Sequence, residues 1–352
     1  MSVQRYEQTM HVSTQTKTLL WTLAGIGAWT AIKSILAQKR KIEFRDKTVI
    51  ITGGSRGLGL ELSRLLAQEG AKLAICARDA DELDRAKDEL DSFGGKVYTQ
   101  VCDITDKTQV EHFVENVRQA IGPVDVLINN AGIIIVTPYE HTTEDDFRDA
   151  MDTHFWAAFH MINAVLPQMF SQKQGRIVNI ASIGGKVSVP HLLPYSTSKF
   201  TLVGYSEGLR AELQKDGIYV TTICPGLMRT GSPRNAIFKG QHEKEYAAFK
   251  ISDSLPLLTM DAAESAREII EACRYGEAER ILSLPAKVGA TLQGVAPGLV
   301  AETLAVVNRM LPAPGGIGER RVAGKDSETA LSESVLTTLT DQAAERNNEF
   351  PG

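Results

Sequence analysis

"KTVIITGGSRGLGLELSRLLAQEG", Lys47 to Gly70, passes from a β-branched run through a glycine-rich turn into a helical pattern. Branched side chains suit an extended strand, and glycines let the chain turn sharply before a helix begins. The same alternation continues outward from it. "KLAICA" precedes the charged helix "DADELDRAKDELDSFG", and "KVYTQVC" precedes the helix "TQVEHFVENVRQAIG". "VDVLINNAG" is a fourth strand, followed by one long helix, "EDDFRDAMDTHFWAAFHMINAVLPQMF". "GRIVNIAS" is a fifth strand, "IYVTTICPG" a sixth, Ala262 to Arg274 a helix, and "RILSLP" the last strand. Strand–helix–strand order with short connections predicts an α/β fold, a Rossmann-like doubly wound parallel sheet with helices on both faces. Ligands of such sheets bind beyond the carboxyl ends of the strands.

The glycine turn "TGGSRGLG", Thr52 to Gly59, lies between the first strand and the first helix. In that position its backbone approaches a pyrophosphate, which rests on the N–H groups opening the helix. Gly53, Ser55, Arg56, Gly57, Leu58 and Gly59 are therefore expected to bind a dinucleotide. At the end of the second strand, where an acid would recognise a ribose 2′-OH, the chain reads "ICARD". Arg56 and Arg78, with no carboxylate opposing them, favour a 2′-phosphate and hence NADP (NADPH/NADP+) over NAD. Asp79 would weaken that preference if it turned inward.

At 352 residues, 43% apolar and 23% charged, the chain suits one large domain with extensions. Its net charge of −5 gives no reason to expect nucleic acid. Four cysteines with no CxxC pair fit reduced thiols and suggest no metal site. "TLLWTLAGIGAWTAIKSILA", Thr18 to Ala37, holds one charge and is followed by "QKRK". Twenty helical residues span ~30 Å, the thickness of a bilayer core. Read as an anchor, it puts the catalytic domain on the cytoplasmic side of a membrane; a protein-packed helix in a cytoplasmic protein and a cleaved leader are the rival readings. The expected division is an N-terminal apolar helix over 1–45, a catalytic domain over 46–290, a helical extension over 291–312, and a linker with a weakly ordered polar tail over 313–352. Leu331, Val335 and Leu339 are spaced to stripe a short helix in that tail.

"TGGSRGLG", "NNAG" (Asn129 to Gly132), "GRIVNIAS", "YSTSK" (Tyr195 to Lys199) and "PGLMRT" (Pro225 to Thr230) occur in the order and spacing of the short-chain dehydrogenases/reductases. The chain resembles that family over about Asp46 to Thr230, and within it the membrane-linked and 3-oxoacyl-reductase-like members. The resemblance implies that Tyr195 is the acid/base, Lys199 its partner and Ser182 the residue that holds the substrate oxygen. It implies cofactor contacts at Asp103, Ile104, Asn130, Pro225, Gly226 and Thr230, and further ones at Tyr195 and Lys199. One position departs: His154 stands where the family has a relay asparagine, so it is either a modified relay or a packed histidine.

The chemistry suits the residue types. Four residues is about one helical turn, so Tyr195 and Lys199 share a face. A free tyrosine titrates near pH ~10, and a neighbouring ammonium favours its phenolate. A serine hydroxyl stabilises charge growing on a carbonyl oxygen. The bland reading of the pair, an exposed i,i+4 contact, has Ser182 and the glycine turn against it. Apolar segments near the site ("GIIIV", "IGGKVSVPHLLP", Leu227 and Met228) point to a lipophilic ketone, aldehyde or alcohol, with an acyl thioester also open. The expected function is an NADP-dependent oxidoreductase acting on such a carbonyl or alcohol. A non-catalytic NADP-binding scaffold, and an epimerase or dehydratase on the same fold, are the alternatives. The resemblance further implies a homo-dimer or homo-tetramer.

Overall fold

The computed structural model describes residues 31–256, 258–330 and 337–350, together with 21, 27, 332 and 334. The chain divides into two units, 1–42 and 43–352. In the first, residues 31–40 are helical, with Ile32, Ile35 and Leu36 exposed. Most of the apolar run from Thr18 to Ala37 lies outside the described residues. Among the described residues no helix is long and apolar enough to cross a membrane.

The second unit begins with β1 (Thr48–Thr52), α1 (Gly57–Gln68), β2 (Lys72–Ala77), α2 (Ala80–Asp91), β3 (Val97–Val101), α3 (Lys107–Ala120) and β4 (Val126–Asn129). It continues through β5 (Ile135–Val136), α4 (Glu144–Met151), α5 (Ala157–Gln172), β6 (Gly175–Ile180), α6 (Leu193–Leu213), β7 (Ile218–Cys224) and β8 (Leu227–Arg229). Then come β9 (Ile237–Phe238), α7 (His242–Ser254), β10 (Thr259–Asp261), α8 (Ala262–Arg274) and β11 (Glu279–Ile281). The last elements are α9 (Leu284–Val295), α10 (Pro297–Asn308), β12 (Val322–Ala323) and α11 (Thr338–Arg346).

All seven strands expected from the sequence form one parallel sheet, in the order β11-β7-β6-β4-β1-β2-β3. β1, β4 and β6 are buried along their whole length, which is why they read as apolar runs rather than alternations. Val110, Phe113 and Val117 of α3 join Met161, Ile162 and Val165 of α5 in one core with Ile50, Leu127 and Ile177. The strand order reverses between β1 and β4, and ligands of such sheets bind at the carboxyl ends beside that reversal.

The long helix expected from Glu144 to Phe170 is interrupted. Asp152–Trp156 forms a wide π turn between α4 and α5, a local widening that periodicity does not reveal and that recurs at functional sites. The C-terminal region also differs from the expectation of a weakly ordered tail. β12 pairs antiparallel with β9, Arg321 bonds Asp146, and Thr340, Ala343 and Ala344 of α11 are buried. Small residues, rather than a leucine stripe, let α11 lie close: a Cβ on Gly231 would come within 2.4 Å of the Ala344 Cα. Of the expected stripe, Leu331 and Val335 lie outside the described residues and Leu339 is exposed.

Candidate active site

The glycine turn is shaped by two close approaches. Gly53 has φ +64°, and a Cβ on Gly59 would lie 2.0 Å from the Gly53 carbonyl oxygen. Asn130 braces the turn, its Nδ2 donating to the carbonyls of Thr52 (3.0 Å) and Gly53 (3.1 Å). Thr52 Oγ1 in return accepts the N–H groups of Asn130 and Ala131. α1 starts at Gly57 with Arg56 as its N-cap and no side-chain cap, and Leu58 and Gly59 are buried in its first turn. Its first N–H groups and the positive end of its dipole are left to a partner outside the helix. That donor set fits a dinucleotide pyrophosphate.

The other expected cofactor residues surround this turn. Asp103 and Ile104 follow β3, where the Asp103 carboxylate accepts from the Thr105 N–H (2.9 Å) and hydroxyl (2.8 Å). Pro225 and Gly226 follow β7, and the Pro225 carbonyl takes the Ile183 N–H at 2.7 Å, tying that loop to the one carrying Ser182. Thr230 is buried, and its hydroxyl accepts the Ser232 N–H at 3.2 Å. Arg78 stands exposed at the end of β2. Asp79 does not turn inward; it caps α2 by accepting the Glu82 N–H.

The expectation that Arg56 faces no carboxylate is corrected. Glu82 Oε1 lies 2.8 Å from Arg56 Nη1, and its other oxygen accepts from Ser55 Oγ at 3.1 Å. Glu349, from the far end of the chain, lies 3.5 Å from Arg56 Nε. Glu82 is one turn into α2 and folds back over the glycine turn, a contact that reading β2 alone misses.

α6 carries the Tyr195–Lys199 pair. Pro194 in its first turn removes no needed N–H, and Tyr195 and Lys199 follow one turn apart on the same face. The Lys199 Nζ lies 5.6 Å from the Tyr195 ring centroid and donates to the Ile180 carbonyl at 2.9 Å. Ser182, at the end of β6, accepts the Gly184 N–H at 3.0 Å. A Cβ on Gly184 would sit 3.1 Å from the Tyr195 ring and 3.4 Å from Ser182 Oγ, so only a glycine fits between them without movement. Burial pushes the Tyr195 phenol up, against the downward pull of its hydrogen bond with Ser182. Burial brings the Lys199 ammonium down to about 7. Phenol, hydroxyl and amine thus converge at the carboxyl end of the sheet, beside the glycine turn.

His154 belongs to the same cluster. It sits in the π turn, 2% exposed, with its ring edge-on to Tyr195 at 5.3 Å between centroids. Nε2 accepts the Ile133 N–H at 3.1 Å, and Nδ1 lies 2.7 Å from Ser198 Oγ. Burial, then the charge of Lys199, hold it well below the usual histidine range, so it is neutral. Both ring nitrogens are engaged by the scaffold, which is the geometry of a packed histidine, although one wedged against the reactive pair. Ser198 was visible in "YSTSK" but nothing in the sequence marked it as the partner of His154.

The short chain dehydrogenase family profile matches residues 47–238. This chain belongs to that family of oxidoreductases. Dehydrogenase/reductase SDR family member 7B of Bos taurus is 29% identical over 84% of this chain and 92% of its own length. Among solved structures, L-sorbose reductase from Gluconobacter frateurii, complexed with NADPH and L-sorbose, superposes with a TM-score of 0.62 at 25% identity, covering 69% of this chain and 97% of that one. A variant of actinorhodin polyketide ketoreductase with NADPH gives a TM-score of 0.61 at 31% identity, covering 68% of this chain and 95% of that one.

Proposed function

We propose that the protein is an NADPH-dependent carbonyl reductase, interconverting a lipophilic ketone or aldehyde and its alcohol. The observation that carries the reading is the convergence of Tyr195, Ser182 and Lys199 at the carboxyl end of the sheet that carries the glycine turn, whose helix has no side-chain cap. Bound NADPH supplies the hydride. Tyr195, whose phenol is held protonated at neutral pH, gives its proton to the oxygen as it becomes an alkoxide. The Ser182 hydroxyl donates to that oxygen and stabilises its growing charge. Lys199, pinned to Ile180, holds a positive charge against the phenol while protonated, and in that state eases return of the proton in the oxidative direction. His154 positions the pair and takes no part in the proton transfer.

NADP rather than NAD is supported by Arg56 and Arg78 and by the NADPH-bound relatives. Arg56 then exchanges its Glu82 contact for the 2′-phosphate. A lipophilic substrate is supported by the half-buried Ile133, Leu227 and Met228 around the site and by the polyketide ketoreductase likeness.

The test is NADPH oxidation over a panel of medium- and long-chain ketones, aldehydes and 3-oxoacyl thioesters, with Tyr195→Phe alongside. The expected result is turnover of at least one panel member by the wild type. Tyr195→Phe should bind NADPH equally well and turn over ~10²–10⁴-fold more slowly. Equal turnover by both proteins would remove Tyr195 from the mechanism.

A further inference from the structure

The last residues of α11 and the segment after it run directly over the glycine turn. Asn347 places its carbonyl oxygen 2.9 Å from the Gly57 N–H, the first donor of α1. Arg64, on the next turn of α1, donates to the Arg346 carbonyl at 2.8 Å and to Asn347 Oδ1 at 3.2 Å. Asn348 donates to the carbonyls of Ser55 (2.9 Å) and Glu82 (3.1 Å) and accepts from Arg85 Nε at 2.7 Å. Glu349 turns its carboxylate inward. One oxygen lies 2.9 Å from the point where a Cβ on Gly57 would stand, and the other takes Asn235 Nδ2 at 2.5 Å and faces Arg56 Nε. Phe350 then lies under the Arg234 guanidinium, 4.0 Å from it.

These contacts are not spread over the surface. Ser55, Arg56, Gly57 and Thr230, all placed in the cofactor cradle above, each touch Asn347, Asn348 or Glu349. A carbonyl oxygen on a helix N-terminal N–H, with a carboxyl oxygen beside an arginine, occupies the same donors that a phosphate would take. Both ligands need the Gly57 N–H and the Arg56 guanidinium. Neither group can serve two acceptors in the same place.

We propose that the segment from Arg346 to Phe350 is a built-in competitor of the dinucleotide, docking in the phosphate cradle and leaving it when the cofactor binds. This rests on the NADPH reading above. Cofactor affinity is then set by a docked–released equilibrium, and the apparent Kd is the intrinsic one divided by the released fraction. A tail docked about ten times more often than released weakens NADPH about tenfold.

Two measurements on the full chain test it. In the first, amide hydrogen exchange of 338–350 is followed in the wild type with and without saturating NADPH; exchange there should rise on binding, while that of β4 and β6 stays unchanged. In the second, NADPH Kd is titrated for the wild type and for Glu349→Arg, which sets a third guanidinium against Arg56 and Arg234. The variant should bind about tenfold more tightly. NADPH binding that leaves the exchange of 338–350 unchanged overturns the proposal and spares the cofactor assignment. Binding by neither protein overturns both.

Discussion

His154 Nδ1 lies 2.7 Å from Ser198 Oγ, and this contact joins the π turn to the helix that carries Tyr195. Because Nε2 accepts the Ile133 N–H, the ring proton sits on Nδ1 and is donated to Ser198. Ser198 passes its own proton to the Tyr195 carbonyl at 2.8 Å. The chain of bonds runs from the "NNAG" strand end to the backbone of Tyr195. His154→Phe strands the Ile133 donor and should cost about 1–3 kcal/mol of stability. A shift of α6 by an ångström can cost about 100-fold in turnover, so kcat should fall further than NADPH affinity. His154→Asn keeps one of the two bonds and should lie between. The histidine also sets a pH limb: held neutral in the fold but titrating near ~6.5 when unfolded, it contributes stability present above that pH and lost as pH falls below it. Urea unfolding at pH 5 and pH 8 should show that limb in the wild type and not in His154→Asn.

Burial of the Lys199 ammonium costs stability. Its folded value of about 7 lies below the ~10.4 of a free lysine. Between those values the unfolded chain holds a proton that the folded chain sheds, so stability rises with pH across that window. The cost of burying the ammonium is full below pH 7. Lys199→Met should therefore raise the Tm, by more at pH 6.5 than at pH 9.5, while turnover falls. A Tm that drops equally at both pH values would mean the ammonium is not paying a burial cost.

Docking of the tail should depend on pH through Glu349. Burial pushes its carboxyl up to about 7, against the attraction of Arg56 and Arg234 and with the repulsion of Glu82. A released tail titrates near ~4.3. The raised value means that docking is strongest at acid pH and weakens as pH rises through 7. Apparent NADPH Kd should fall between pH 6 and pH 8. Glu349→Gln, which carries no titrating proton, should remove that part of the change, and titrating both proteins separates it from the ionisation of the 2′-phosphate.

Membrane association is the remaining expectation open to a direct test. Ile32, Ile35 and Leu36 are exposed on the helical residues 31–40, a surface that suits an apolar neighbour. Deleting Met1 to Arg40 should move the protein into the soluble fraction with NADPH Kd unchanged. Retention of the shortened chain on membranes would place the anchoring surface elsewhere.

The sheet was legible because its central strands are buried on both faces. "VLIN" carries the unbroken run Val126–Ile128 and "GRIVNI" the pair Ile177–Val178, and turn residues mark their ends. Tyr195 and Lys199 were legible as a pair because they share one helical turn, whereas Ser182 was named through the family resemblance alone. What escaped were contacts between residues far apart in sequence. Glu82 reaches Ser55 and Arg56 from a helix that reads as solvated, and Asn347 reaches Gly57 across most of the chain. The π turn escaped for another reason: it keeps the apolar and polar types of the surrounding helix and changes only the width of one turn.

That widened turn ties reactivity to packing through arithmetic. Each residue of an α-helix advances about 100° around the axis. A π turn holds one residue more than the α turn it replaces, so rewinding Asp152–Trp156 as α-helix with no residue removed would rotate everything after it by about that angle, and with it the buried row Ala158, Met161, Ile162, Val165 and Met169 of α5. Deleting one residue there would straighten the helix and leave this row facing the interior, whereas straightening it at constant length would swing the row toward solvent in a single step. The position occupied by His154 can change its side chain through gradual substitution, but its backbone bulge is locked in by the five core residues that depend on its phase.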